Sequence, residues 1–275
     1  MKLYIGPAGY CSSSKEPGGA LGSFMRLNEL GLNAQELEFV QQVYLKRDAA
    51  VEVGRQAAER KIRLSIHAPY FINLCSQEKE KLAASKKRIA DSLDRAEALQ
   101  AEGPVVVHPG FFQKRPESEC MQAVVDACFE FSAAYPRVVL GLETTGKHSA
   151  FGSLAEILET CSRVGRKNVV PVVDFAHIYA RNNGRIDFGA VLDEFLSYGY
   201  TSLSAHFSSI NFSEKGELNH LPISENKPPF APLAAELKKR SSKFDSVHLI
   251  CESPLLEDDC ARMKAIIEEE GLKLA

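Results

Sequence analysis

No stretch of this sequence approaches the ~18 consecutive apolar residues of a membrane-spanning helix, so no membrane partner is expected. It contains no Cys-x-x-Cys pair, which argues against a zinc site built on thiolates. No Gly-x-Gly-x-x-Gly follows the first apolar run, which counts against a dinucleotide-binding version of an open doubly wound sheet. A net charge of −3 gives no global case for nucleic-acid binding. Nothing resembling a leader precedes Lys2-Leu3-Tyr4-Ile5, which reads directly as a strand, so a cytoplasmic protein is expected.

What is present is ordinary in bulk. A length of 275 residues fits one α/β barrel, usually ~250 residues, so a single domain over residues 1–275 is expected. The seven cysteines are odd in number and scattered, as in a reducing compartment. Cys120, Cys128, Cys161 and Cys260 fall inside helical patterns and read as small core residues.

The unusual feature is a repeated ending. Ile62–Ile66 precedes His67, and Val105–Val107 precedes His108. Val138–Leu142 precedes Glu143, and Val169–Val173 precedes Asp174. Ser202–Ala205 precedes His206, and Val247–Cys251 precedes Glu252. Short β-branched and apolar runs bounded by Gly or Pro read as buried strands. Six in succession, each stopping at an imidazole or carboxylate, predict ligands converging on one rim of a parallel barrel.

The rest of the chain fits that arrangement. Lys2–Ile5 is the first strand, followed by a Gly/Pro/Ser-rich loop to Gly22, a short helix over Met25–Leu30 and a second strand over Leu37–Val40. Helices are predicted over Ala49–Arg60, Glu78–Gln100, Glu117–Ala134, a segment capped by Ser153 and Glu156, Asp187–Tyr198, Pro232–Lys239 and Asp258–Glu270. Ser208–Pro229 reads as one long loop, a length that is usually functional or disordered. Eight strands alternating with eight helices fit a (β/α)8 TIM barrel, whose sites lie at the strand C-termini. The doubly wound open sheet is the second choice of fold.

Lys46, Arg47, Lys114, Arg115, Lys147, Arg181, Arg185, Lys215 and Lys227 all follow strand ends, while many acids fall on the helices. This distribution predicts either a basic rim on an acidic body or ordinary solvated loops. The candidate metal ligands are His67, His108, Glu143, Asp174, His177, His206, His220 and Glu252. Imidazole and carboxylate without thiolate suit Zn²⁺, Mn²⁺ or Fe²⁺. Eight donors exceed the four of one tetrahedral zinc, so two or three ions with bridging carboxylates are expected. His148 falls in a loop and His248 inside a strand, both off the pattern.

The stretches His67-Ala68-Pro69-Tyr70-Phe71-Ile72-Asn73-Leu74, His108-Pro109-Gly110, Leu142-Glu143-Thr144-Thr145-Gly146, Asp174-Phe175-Ala176-His177, Ala205-His206-Phe207 and Cys251-Glu252-Ser253-Pro254 resemble endonuclease IV. That family comprises metal-dependent apurinic/apyrimidinic endonucleases within the xylose-isomerase-like barrel superfamily. The resemblance implies three zinc ions and cleavage of double-stranded DNA 5′ to an abasic sugar, with Glu143 and Glu252 as catalytic carboxylates. By position, His67, His108 and Glu143 would hold the first ion. Glu143, Asp174, His206 and Glu252 would hold the second, and His177 and His220 the third. Tyr70 and Phe71 match the family's pair that enters DNA at the lesion, where no base remains to stack. They could equally pack the loop. Lys46, Arg47, Lys114, Arg115 and Lys147 would meet phosphates.

One segment departs from the family. Where an Asp-x-His pair is usual, the chain reads Glu217-Leu218-Asn219-His220, and leucine cannot ligate. Either Glu217 substitutes from one position away, or the third ion is weak or absent. The rival functions are a metal-dependent sugar isomerase or epimerase on the same barrel, and a nucleic-acid-binding protein without catalysis. A monomer is expected.

Overall fold

The computed structural model describes all 275 residues. Its centre is one eight-stranded sheet. The strands are β1 (Lys2–Pro7), β2 (Ala34–Glu38), β3 (Arg63–His67), β4 (Val105–Val107), β5 (Leu140–Glu143), β6 (Val169–Asp174), β7 (Ser202–Phe207) and β8 (Ser246–Cys251). All neighbours are parallel, in the order β1-β8-β7-β6-β5-β4-β3-β2. The ring closes where Asn33 N–H donates to Ile5 O at 3.2 Å and Gly9 N–H to Glu36 O at 2.9 Å. That seam excludes the open doubly wound sheet, because β1 lies between β8 and β2. Gly6 makes the approach possible: a Cβ there would fall 1.6 Å from Ala34 O.

The helices are α1 (Gly19–Leu30), α2 (Arg47–Glu59), α3 (Lys79–Leu99), α4 (Glu117–Ala134), α5 (Leu154–Val164), α6 (Phe175–Arg181), α7 (Phe188–Ser197), α8 (Ala231–Lys239) and α9 (Leu256–Glu269). Alternation along each strand decides what faces them. Ile5, Leu37, Ile66, Val107, Leu142, Val173, Ala205 and Leu249 belong to the large buried apolar cluster. The intervening positions turn inward and mix small or polar residues (Gly6, Glu36, Ser65, Gly141, Ser204) with the buried aliphatics Val106, Val172 and Ile250. No helix is long and apolar enough to cross a membrane.

Several elements differ from the expectation. The second strand is Ala34–Glu38 rather than Leu37–Val40, because its inward positions are acids that do not read as a hydrophobic run. The first helix begins at Gly19, six residues before Met25, and shortens the loop ahead of it. A ninth helix, α6, follows β6 directly. It is too short for a periodic signal but is capped by Asp174, whose Oδ1 accepts the His177 N–H at 2.7 Å. The predicted Ser208–Pro229 loop is instead a β-hairpin, Ser209–Ser213 paired with Gly216–Leu221, followed by a 3₁₀ turn at Ile223–Glu225. The expected capping box is present: Ser153 Oγ accepts from Glu156 N–H, and Glu156 Oε2 accepts from Ser153 N–H at 2.7 Å.

Candidate metal centre

Parallel strands deliver their last inward side chains to one end of the barrel. His67 ends β3, Glu143 ends β5 and Asp174 ends β6, while His108 and Glu252 follow β4 and β8 by one residue and His206 is next to last in β7. Glu143 is fully buried at the middle of this ring. Its Oε2 lies 2.7 Å from His108 Nε2 and 3.2 Å from His67 Nε2. Its Oε1 lies 2.8 Å from His206 Nδ1, which is also 3.2 Å from Glu252 Oε1.

His177 and His220 arrive by different routes. In the first turn of α6 the three-residue spacing folds His177 back over its cap, so that Nδ1 lies 3.2 Å from Asp174 Oδ2. His177 Nδ1–H donates to Thr144 O at 3.0 Å, a carbonyl that can only accept, so in the neutral ring the lone pair is on Nε2. His67 is set the same way, Nδ1–H donating to Ala68 O at 2.8 Å. His220 is carried by the hairpin, with Nδ1 2.7 Å from Ser208 Oγ and Nε2 3.6 Å from Glu252 Oε2.

The donor atoms fall into three groups, each with all members within 4.8 Å of one another. One is His67, His108 and Glu143. A second is Glu143, Asp174, His206 and Glu252. The third is His177, His220 and Glu252. Consecutive groups share a carboxylate, Glu143 and then Glu252. Glu252 thus stands in two groups, where the resemblance to endonuclease IV placed it in one.

The donor set fits divalent cations. His108 Nε2, Asp174 Oδ2 and Glu252 Oε2 are buried without a hydrogen-bond partner, although each has an oppositely disposed group close by. Short separations without alignment are what results when two donors aim at a common third point. Buried carboxylates also need compensation, and here protons supply it. Burial opposes charge on His67, but Glu38 and Glu143 outweigh it and push the imidazole up to about 10. His177 and His206 are likewise pushed well above the usual range against burial, chiefly by Asp174 and by Glu36. Burial pushes Asp174 well up. Glu143 and Glu252 are held well below the carboxylate range despite burial, by His108 and His206 for the first and His206 and His220 for the second.

Two acids in this site had escaped the sequence reading. Glu36 Oε1 lies 3.0 Å from His206 Nε2, while Oε2 accepts from Ser65 Oγ at 2.7 Å. Glu38 stands on the same inward face, and burial pushes its carboxyl up to about 8. The available signal was two acids at alternate positions, Glu36 and Glu38, interleaved with the apolar Leu37 and Phe39. His248 is inward-facing but four residues below Glu252, about 13 Å at strand rise, beside the Tyr4 ring. His148 is exposed.

Beside the donors lies a cavity of about 300 Å³ lined by Tyr70, Ile72, Phe111, Lys147, His177 and Glu217, among others. Tyr70 is 53% and Phe71 64% exposed, and the Tyr70 ring centroid lies 5.9 Å from that of His67. The basic residues are less free than their positions suggested. Arg47 begins α2 and pairs with Asp94 and Glu97. Arg115 pairs with Glu119 and donates to Cys75 O, and Lys147 lies 3.7 Å from Glu217. Lys46 and Lys114 remain exposed.

The class this fold and rim define is a parallel α/β barrel with imidazole and carboxylate groups at its C-terminal end that could hold metal ions. Residues 24–270 match the xylose isomerase-like TIM barrel family, and the chain belongs to it. It is 33% identical, over 286 aligned positions and 98% of both chains, to an uncharacterised protein of Methanocaldococcus jannaschii. It is 29% identical over 135 residues to a probable endonuclease 4 of Exiguobacterium sibiricum, covering 47% of this chain and 45% of that one. Among solved structures it resembles a D-tagatose 3-epimerase-like protein, with a TM-score of 0.71 at 19% identity over 98% and 97% of the two chains. At that identity the likeness speaks for the fold alone.

Proposed function

We propose that this chain is a metal-dependent endonuclease that hydrolyses the DNA phosphodiester 5′ to an abasic site, using up to three zinc ions. Mn²⁺ or Fe²⁺ would suit the same donors. The observation that carries the reading is the chain of three donor groups linked by Glu143 and Glu252. Proton or hydride shuttling on a ketose calls for one or two ions and leaves His177 and His220 without work. His67 and His108 with Glu143 would hold the first ion; Asp174 and His206 with Glu143 and Glu252 the second; His177 and His220 with Glu252 the third. Bound ions in such a cluster neutralise charge on a phosphate undergoing displacement and activate water for the attack.

The remaining roles follow from the rim. Tyr70 and Phe71 stand exposed where an unstacked gap in a duplex can accept an aromatic wedge. The cavity beside them takes the flipped sugar, with the Lys147 ammonium at its edge. Lys46 and Lys114 meet flanking phosphates.

A sugar isomerase or epimerase is the second reading. It is favoured by that same small cavity and by the engagement of Arg47 and Arg115 with the protein's own groups. One assay separates the two. A duplex carrying a single tetrahydrofuran abasic analogue is incubated with the protein, with and without chelator, beside a panel of ketoses. Chelator-sensitive incision 5′ to the analogue is the expected result. Turnover of a ketose with intact DNA would replace the nuclease with the isomerase.

A further inference from the structure

We infer that a one-residue β-bulge at Leu218 makes Glu217 the fourth protein donor of the third cation site. The inference rests on the multi-ion part of the proposed function and on no step of the DNA reaction. On a regular strand, residues three apart point to opposite faces, so Glu217 and His220 could not both serve one site. The hairpin register resolves this. Ile210 pairs with His220 and Asn211 with Asn219, but Phe212 pairs with Glu217, so Leu218 is an extra residue without a partner. A bulge of this kind re-aims the side chains beyond it. Ile210 and Phe212 lie two apart on one strand and pack on Ala176 and Ala180 of α6. Their cross-strand partners His220 and Glu217 therefore face α6 as well, and α6 carries His177. Leu218 is ejected to solvent, 60% exposed.

Glu217 is seated in advance. Its Oε2 accepts the Gly146 N–H at 3.0 Å, and Glu217 N–H donates to Gly146 O at 3.3 Å. A Cβ at position 146 would fall 2.3 Å from Glu217 Oε2, so glycine is what admits the carboxylate. The same oxygen lies 3.0 Å from His177 Nε2, the nitrogen left with its lone pair by the bond to Thr144. Two donors each ~2.0–2.1 Å from one zinc at a tetrahedral angle stand roughly 3.3 Å apart. His220 and Glu252 group with His177, and Glu217 joins them through His177, which would give the third cation four protein donors.

The test is zinc bound per chain, measured by elemental analysis after zinc loading and gel filtration of the full-length protein. Wild type is expected to hold about three ions and Glu217→Gln about two, the retained pair showing that the variant is folded. Deletion of Leu218 leaves Glu-Asn-His on a strand without the bulge, which keeps both donors on one face, and about three ions are expected. Glu217→Gln combined with Leu218→Asp is expected to stay at about two, because position 218 points outward, and it carries the test if the deletion does not fold. Three ions in Glu217→Gln or in the double variant, fewer than two in Glu217→Gln, or two in a folded deletion would each overturn the inference. Because no substrate is used, a chain that follows this pattern but leaves abasic DNA intact keeps the bulge assignment and loses only the nuclease reading.

Discussion

Glu252 Oε2 and His220 Nε2 face each other at 3.6 Å across the barrel mouth, and the Glu252 oxygen accepts no hydrogen bond. One partner follows the last barrel strand, and the other rides on a hairpin inserted after β7. The contact joins the permanent rim to the element that covers it. Because Glu252 Oε1 also lies 3.2 Å from His206 Nδ1, a single carboxylate reaches two donor groups.

Glu252→Gln is therefore expected to cost two ions, whereas loss of His220 costs one. Removing a direct ligand should lower activity beyond the ~10–100-fold typical of outer partners. Glu143→Gln should do the same from the other side, with the fold kept, since the apolar cluster outside the barrel does not depend on the ions. Zinc content and circular dichroism of the two variants check this. Full activity in either would count against bridging.

The pH dependence of the metal-free protein is a net of opposing shifts. Burial lowers His248 and His220, which favours the folded metal-free protein as pH rises through ~6.5, but the raised groups outnumber them and set the net direction. The folded state lifts His67 to about 10, so its contribution is present below its unfolded value, ~6.5, and is lost as pH rises through about 10. Burial lifts Glu38 to about 8, so its contribution is lost as pH rises from ~4.5 through about 8. Glu143 and Glu252 are shifted downward, and their windows lie below this range. Chelated protein should melt lower at about pH 9 than at about pH 6, and added zinc should raise the melting temperature more at the higher pH, because ions replace protons. Thermal melts at the two pH values decide it; a chelated protein more stable at the higher pH would contradict the assignment.

The parts of this molecule legible in the sequence are those with a local signature. Val169–Val173 before Asp174 and Ser153 before Glu156 announce a buried strand and a capped helix within a few residues. The parts that were not legible depend on partners distant in sequence. Gln35 and Glu36 look unlike strand residues until Ser23, Ser65 and His206 are seen to hold them. The α6 helix has too few residues for periodicity. The Leu218 bulge shows only in the hairpin register at Asn211 and Phe212, so comparison with the Asp-x-His pair of endonuclease IV suggested a missing ligand. Arg47 followed a strand, as a rim residue would, but α3 supplies its acids.

DNA affinity should fall with salt at a slope of about −0.9 per phosphate neutralised on duplex. Lys46→Ala and Lys114→Ala should each reduce the slope by about 1, while Arg47→Ala should change it little because Asp94 and Glu97 already hold that guanidinium. Binding isotherms at several salt concentrations measure this. A slope unaltered by the lysine changes would remove them from the interface.

The barrel seam gives a fold-level prediction. Gly6→Ala places a carbon against the Ala34 carbonyl and must part β1 from β2. A loss of about 1–3 kcal/mol or more is expected, in the range of overpacked interiors. Denaturant unfolding measures it, and an unchanged midpoint would mean that the seam is looser than its hydrogen bonds indicate.

The most direct test of the central claim is anomalous diffraction at the zinc edge from crystals of the zinc-loaded protein. Three peaks are expected: one among His67, His108 and Glu143, one among Glu143, Asp174, His206 and Glu252, and one among His177, His220 and Glu252. A single peak, or two with none near His177 and His220 at saturating zinc, would contradict the linked three-ion cluster and leave the isomerase reading in its place.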